Sequence, residues 1–559
     1  MFGRDFSSPT LRSKRVIAFK IPKGDKQLQI ITPPSDRSST WEMVKTLLPH
    51  EQKSIEPANE HEAHVLKAFR LPPDEILSIP PLKYLPTPFT YHSTVNGDTS
   101  YINQPRLSVS KLLTNAWCEL RSFYEIYAGS PRSPPSSSMK AGTKYHAKLE
   151  AKEHPKLDDV SLKSELKTFL SKHPKETIKE LVRTRSAFEF AQNWTEQTVF
   201  RSICASHTKV ARELFIHGFL DIGSGSLVTE ENKLRDGVLV NGIADIVKID
   251  MFNTSKYLDD TDLDDLSSES STINLPEDVS SNVLDLTFEL PKAKETMNEL
   301  AKDHYLHMRD VKTRRSNTVP DQLSVINGAK LQCMYYAIFL HNLSRDADFA
   351  YESCLENIRR RRIDPDEPIS IALATELLVA NFRTLALDYL RLAKGDSIGF
   401  PTFDEYSHNS RNYSLSQFID EKDLRWLIEV HYGEELDISG VDLAPLFSNW
   451  KIPLTLRYFS ARTGQAFNIY EAFKPSSVCV EYHNSVKQQL IARQHYPFDM
   501  HEMKESIAQT SKFWDGRRRP SHTDDPSMCN YCNFKKRCSA MNSGIGPEAA
   551  RLIHELQEW

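Results

Sequence analysis

The 559-residue sequence contains no long run of apolar residues, and its mean hydropathy is -0.48. A bilayer-spanning helix needs about 20 consecutive apolar residues, so no membrane association through such a helix is expected. Cysteine is scarce: eight residues are too few for a secreted fold stapled by disulfides. Positive charge is not in excess either. Seventy Lys and Arg stand against 75 Asp and Glu, a net charge of -5, which excludes a polycationic coat for nucleic acid but allows a local basic channel. No G-x-x-x-x-G-K-[S/T] occurs, so no helicase motor is encoded, and there is no internal repeat. What remains is a chain long enough for one large or two to three ordinary domains around a sizeable core.

The first twenty residues carry Arg4, Arg12, Lys14, Arg15 and Lys20 against the single acid Asp5, with Ser7, Ser8 and Ser13 between them. An Arg- and Ser-rich, acid-poor start without an apolar core suits a mitochondrial transit segment over 1–20; a plain basic tail is the other reading. Residues 21–104 read as an extension. Six prolines between Leu71 and Tyr91 break helix and suggest an extended approach to a domain that begins near residue 105. Leu112, Leu113, Trp117 and Leu120 recur at helical spacing and predict one helix over 108–127. PRSPPSSS at 131–138 reads as a loop, and a second helix should start near Lys140 and run through His146 and Glu150. Residues 237–250 and 305–313 read as strands. Between them, Asp259 to Asp285 holds nine acids and no Lys or Arg, a solvated insertion placed at 257–292. From Pro320 an amphipathic helix is expected with proline at its start. The stretch 350–510 gives no clear pattern, and 546–559 reads as a terminal helix.

Three segments belong together chemically. Gly242-Ile243-Ala244-Asp245 lies in the first expected strand and Asp310-Val311-Lys312 in the second. Side chains alternate along a strand, so Asp310 and Lys312 point the same way. Carboxylates on neighbouring strands can hold a divalent metal, and a lysine beside them can orient or deprotonate water. The third segment, Gly142 to Glu150, places His146 and Glu150 on one helical face, and a neutral imidazole there can add a ligand. Gln332 and Tyr336 share a face of the next helix, within reach of DNA or a metal-bound water. Each piece alone has a plainer reading: a surface ion pair for D-x-K, a structural histidine, a capping aspartate, ordinary helix packing. Their order along the chain is more specific than any of them.

Near the C-terminus stands CNYCNFKKRC, with Cys529, Cys532 and Cys538 close enough to share one centre. A fourth ligand is missing locally. Cys118 is the candidate, while Cys204, Cys333, Cys354 and Cys479 lie among apolar neighbours and read as buried thiols. Zinc sites usually pair two close doublets; one C-x-x-C, one C-x5-C and a distant partner lean toward an iron–sulfur cluster, with zinc still open. Either centre closes a loop of about 410 residues, a large gain in loop-closure terms.

Taken together these elements resemble the exonuclease V family of RecB-type nucleases. The resemblance spans roughly 105–545 and is carried by Cys118, the GTKYH run to His146, Arg212-Glu213, Gly242 to Asp245, Asp310-Val311-Lys312, Gln332 to Tyr336 and Cys529, Cys532 and Cys538. It implies an α/β fold of the restriction-endonuclease-like PD-(D/E)XK type, with helical N- and C-terminal parts joined by a 4Fe–4S cluster on Cys118, Cys529, Cys532 and Cys538, the last three within 526–540. It implies a Mg²⁺-dependent exonuclease on single-stranded DNA, and for fungal members a mitochondrial enzyme working from 5′ ends and releasing short oligonucleotides. The implied magnesium ligands are His146, Asp245, Asp310 and the Val311 carbonyl, with Glu213 near the metal shell; Lys312 would position the attacking water. One departure is the 65 positions between Asp245 and Asp310, which an outward-looping insertion accommodates at little cost.

Arg314 and Arg315 follow Lys312 directly and are candidates for phosphate contact. Arg517 and Arg518, with Arg519, lie beside Phe513 and Trp514, which could stack on bases. Arg359 to Arg362 reads as a solvated face. The expected partner is single-stranded DNA, handled by a monomer, with a single-strand DNA-binding protein as a further partner. Two competing readings are a non-catalytic, metal-stabilised binding protein and a structure-specific endonuclease.

Overall fold

The computed structural model describes residues 75–95, 106–129, 137–153, 175–252, 282–408, 412–438, 440–523 and 525–542, with the shorter pieces 16–18, 29–31, 65, 67–69 and 165. Most of the basic start, most of the acidic insertion, the loop at 131–136 and the terminal helix at 546–559 lie outside the described residues.

Helix α1, Pro88–Val95, opens the main body. The prolines before it do not keep this stretch extended as expected. Pro88 is the first residue of the helix, where a missing N–H is unpaired in any case, and Leu82–Tyr84 forms a 3-10 turn. The helix expected over 108–127 is broken. Strand β1, Arg106–Ser108, leads into a single turn, and helix α2 starts only at Glu119 and runs to Tyr127. Cys118 precedes it with extended backbone (φ -161, ψ 113), which ends the preceding turns and turns the thiol out of the helical stripe. Phe69 stacks on Tyr127 at 5.3 Å and Tyr91 lies 4.9 Å from the same ring, so chain well before residue 105 packs on α2.

Helix α3, Ser137–Glu153, carries His146 and Glu150. Helix α4, Lys175–Trp194, runs through a π-helical stretch, Thr195–Phe200, into α5, Arg201–Thr208. Strand β2, Val210–Asp221, the short β3, Ser226–Leu227, and β4, Val238–Met251, follow. After α6, Leu286–Leu300, comes β5, His304–Arg314. Helix α7, Leu323–Ser344, begins after Gln322, so Pro320 lies outside it. Its C-terminal half is buried on all sides rather than along one stripe, because it runs between the sheet and a helical layer. That layer is the part the sequence pattern left unparsed: α8, Ala347–Arg359; α9, Ile371–Ala380; α10, Phe382–Lys394; α11, Glu421–Tyr432; and α12, Leu456–Asn468. Strands β6, Ser477–Asn484, and β7, Gln489–Pro497, and helix α13, Met500–Trp514, complete the order.

The sheet order is β3-β2-β4-β5-β6-β7, and β1 pairs with β4 off this path. β4 is antiparallel to both β2 and β5, β5 and β6 are parallel, and β6 and β7 are antiparallel. The parallel pair requires a crossover, and α7 to α12 provide it. The fold is thus mixed α/β. α7 lies against β2, β5 and β6. Two glycines admit it: a Cβ on Gly218 would meet the Phe339 ring at 2.4 Å, and one on Gly242 would meet the Tyr336 ring at 2.4 Å. No helix among the described residues is long and apolar enough to cross a membrane.

Candidate active site and cysteine pocket

β4 has different neighbours along one edge. β1 pairs with it from Leu239 to Asn241, and β5 from Ile246 to Met251. Gly242 to Asp245 lie in the gap, and this is where the candidate site forms. The ladder to β5 stops at Ile246↔Arg309, one residue short of Asp245 and Asp310. The Asp245 side chain takes over, with Oδ2 accepting from the Val311 N–H at 2.9 Å. On the other edge, β2 pairs with β4 from Val210 to Leu220, and the register skips only Glu213, which faces Asp245. Glu213 has φ +50, a left-handed backbone that a residue with a Cβ rarely adopts and that costs about 1–3 kcal/mol.

This distortion brings three ligand atoms together. One nitrogen of His146 and one oxygen each of Glu213 and Asp245 lie within 4.8 Å of one another. His146 Nδ1 is 3.8 Å from both Glu213 Oε1 and Asp245 Oδ2, and its Nε2 is 3.1 Å from the Val311 carbonyl oxygen. Asp310 stands outside this group. Its carboxylate faces the Lys312 ammonium at 2.6 Å, so the two do share a face of β5, and that face meets α7. Lys312 Nζ also donates to Gln332 Oε1 at 3.0 Å, and Gln332 Nε2 lies 3.5 Å from the Tyr336 hydroxyl. Val311 turns the other way, into a small apolar cluster with Val210, Ile246 and Leu149 of α3. Burial pushes the Asp310 carboxyl up, and the negative Asp245 adds to this against the pull of Lys312. Burial works against the Lys312 charge, but Asp310 and Asp245 outweigh it and hold the ammonium protonated. A site with this much converging negative charge and one retained cation is suited to a divalent metal and a phosphodiester.

The four expected cysteines also come together. Cys118, Cys529, Cys532 and Cys538 line one pocket with Trp117 and Phe534. Burial raises the Cys118 thiol to about 11, and Cys538 and Cys532 push it the same way. Burial raises Cys529 and Cys538 as well. Thiols that raise one another keep their protons unless a cation offsets their charge, so the donor set fits a thiolate-bound metal centre. Cys204, Cys333, Cys354 and Cys479 are buried outside this pocket. Leu77, from the Pro-rich stretch, forms a bridge to Cys538, and its N–H donates to the Arg537 carbonyl at 2.8 Å.

The expected DNA contacts fare differently. Trp514 is 2% exposed, its indole N–H donating to the Lys111 carbonyl at 3.3 Å, and Phe513 is equally enclosed; neither offers a face to a base. Arg518 is bound bidentately to the buried Glu119, both contacts 2.5 Å, and Arg517 donates to the Ile222 carbonyl and pairs with Asp515. Trp514 and Arg518 hold the C-terminal segment to the body, whereas the Arg517 side chain is 43% exposed. Arg360 and Arg361 are likewise engaged, with Glu356 and the Phe190 ring. Arg315 is exposed and donates to Ser137 at the start of α3, and Arg314 is half-buried beside it.

Clustered carboxylates beside a lysine, where neighbouring strands of a mixed sheet diverge, define a class, that of hydrolytic nucleases. Comparison with known proteins gives the particular family. Residues 101–540 match the family described as "Exonuclease V - a 5' deoxyribonuclease". The mitochondrial exonuclease V of Clavispora lusitaniae is 41% identical over 516 residues, covering 91% of this chain and 99% of that protein. That of Candida albicans is 35% identical over 517 residues, 87% of this chain and 80% of that protein. That of Eremothecium gossypii is 29% identical over 447 residues, 79% and 78% of the two chains. The chain belongs to the exonuclease V family, the 5′ deoxyribonucleases.

Proposed function

We propose that this chain is a magnesium-dependent exonuclease that degrades single-stranded DNA from 5′ ends, releases short oligonucleotides and serves the mitochondrial genome. The observation that carries the reading is the convergence of His146, Glu213 and Asp245 beside the Asp310–Lys312 pair. The mixed sheet with its parallel β5–β6 crossover suits a RecB-like PD-(D/E)XK core, and the names of the relatives supply the compartment. His146, Asp245, Asp310, Glu213 and the Val311 carbonyl are the residues that would hold the ion. Bound there, Mg²⁺ supplies Lewis-acid charge to the scissile phosphate and acidifies a water. Lys312 keeps its proton through Asp310, is aimed by Gln332, and orients the attacking water. That water's oxygen bonds to phosphorus, the bridging P–O bond breaks, and one fragment keeps the phosphate while the other leaves as an alcohol. Tyr336, seated on Gly242, fixes Gln332. The four-cysteine pocket would take a structural 4Fe–4S cluster, with zinc as the competing occupant.

The test is digestion of end-labelled linear and circular single-stranded DNA with and without Mg²⁺, by wild type and by Asp245→Ala and Asp310→Ala. The expected result is digestion of the linear substrate alone, starting at the 5′ end, dependent on Mg²⁺ and lost in both variants. Equal cleavage of the circle, or full activity in a folded Asp310→Ala protein, would overturn the reading.

A further inference from the structure

The ligand group depends on an irregular piece of backbone, and one buried side chain outside that group holds it. Glu213 has the left-handed φ of +50, and the β2–β4 register passes from Arg212↔Ile246 to Leu214↔Ala244 on either side of it. Arg201 binds the backbone at this irregularity. It is 3% exposed, its Nη1 donates to the carbonyls of Arg212 and of Glu213, the latter at 3.0 Å, and its Nη2 donates to Glu150 Oε1 at 2.6 Å. Glu150 lies one turn beyond His146 on α3. The π-helical stretch Thr195–Phe200 ends at Arg201, and such stretches re-aim the residues that follow them.

We propose that Arg201 is a positioning residue for the metal site, one guanidinium that both secures the left-handed Glu213 and fixes the distance from it to His146 through Glu150. The proposal rests on the metal reading of that site. The chemistry suits arginine specifically. Three acceptors at fixed angles match a planar fork of donors, whereas a lysine offers one point charge. The other flank of α3 is tied independently, by the Tyr145 hydroxyl 3.0 Å from His483 Nδ1, so the helix keeps an anchor when Arg201 is lost. Loss of Arg201 therefore moves His146 relative to Glu213 without detaching α3.

The experiment titrates Mn²⁺ into the full-length protein by electron paramagnetic resonance and measures the Mg²⁺ dependence of DNA digestion in parallel. The variants are Arg201→Met, Arg201→Lys and Glu150→Gln. Groups that orient ligands cost about 10–100-fold in metal affinity when removed. We expect the Mn²⁺ Kd to rise about tenfold or more in Arg201→Met, with lysine restoring little of it and Glu150→Gln giving a smaller rise. KM for DNA should stay near wild type while kcat falls at fixed Mg²⁺ and recovers at high Mg²⁺. Wild-type Mn²⁺ affinity and kcat in Arg201→Met or Glu150→Gln, with only a lower melting temperature, would overturn the proposal and leave a purely structural ion pair. If Arg201→Met does not fold, Glu150→Gln decides by the same criterion. Should Asp245→Ala bind Mn²⁺ as wild type does, the metal reading itself fails and this inference with it.

Discussion

Arg518→Met separates two roles for the C-terminal basic cluster. The Glu119 side chain is fully buried at the start of α2, next to Cys118, and accepts both Arg518 donors at 2.5 Å. The Ser521 N–H and hydroxyl add bonds at 3.0 and 2.8 Å. Removing one partner of a buried ion pair leaves an uncompensated charge and costs about 3–5 kcal/mol. Ser521 still serves the carboxylate and Arg518 is itself 18% exposed, so the lower end, about 3 kcal/mol, applies. The assay is urea unfolding followed by near-ultraviolet circular dichroism, which reports on the packed aromatic residues, Trp117 and Tyr124 beside the cysteine pocket among them. Glu119→Gln combined with Arg518→Met should recover much of the loss, because no charge is then left buried. Affinity for single-stranded DNA, followed against salt, supplies the counter-test. A phosphate contact contributes about 0.7 to the slope of log K against log salt on a single strand. If Arg518→Met lowered that slope by one such contact and left stability unchanged, Arg518 would be a DNA ligand and the clasp to Glu119 incidental.

Three further outcomes are expected. Gly242→Ala sets a Cβ 2.4 Å from the Tyr336 ring and 2.9 Å from its hydroxyl; such overpacking costs about 1–3 kcal/mol, and kcat should fall as Tyr336 and Gln332 shift. Unchanged melting and turnover would show the contact to be soft, and Tyr336→Leu in the same chain should restore stability without restoring kcat. Cys118→Ser should reduce bound metal as measured by elemental analysis of purified protein, and a full complement would remove Cys118 from the ligand set. Burial lowers His217 to about 4, its Nε2 resting 3.0 Å from the Ser353 hydroxyl. Since the unfolded chain takes up this proton near pH 6.5 and the folded one only near 4, stability should fall as pH drops through that window, by up to about 3 kcal/mol from this residue. Comparison of wild type with His217→Leu isolates that share; parallel acid profiles for the two would refute it.

Much of the site could be read along the chain because its signals are local. His146 and Glu150 share a helix face by spacing alone, Asp310 and Lys312 share a strand face by alternation, and Cys529, Cys532 and Cys538 are near neighbours in sequence. Cys118, the distant candidate for the fourth ligand, is placed in the same pocket by the fold. Other features had no local signature. Glu213 joins His146 and Asp245 through a left-handed backbone that no side-chain pattern announces, and Asp310 meets Lys312 on the face of β5 that α7 covers. Trp514 and Arg518 looked like a DNA-binding pair because an aromatic beside an arginine run reads the same whether exposed or docked. The helical layer from Ala347 to Asn468 escaped because helices buried on several sides lose the one-sided stripe that periodicity detects.

Residue order is enough to say which chemical groups exist and which lie on one face of their own helix or strand, since pitch and pleat are properties of the backbone. It also determined the family. The tertiary structure decided which elements meet: that β4 changes neighbours at Gly242 to Asp245, that Arg201 reaches both Glu213 and the helix of His146, and that Glu119 closes on Arg518. Those meetings join residues from about 10 to 400 positions apart, and the loop-closure entropy they overcome is offset only by burial summed over the whole core, which no local stretch of sequence contains.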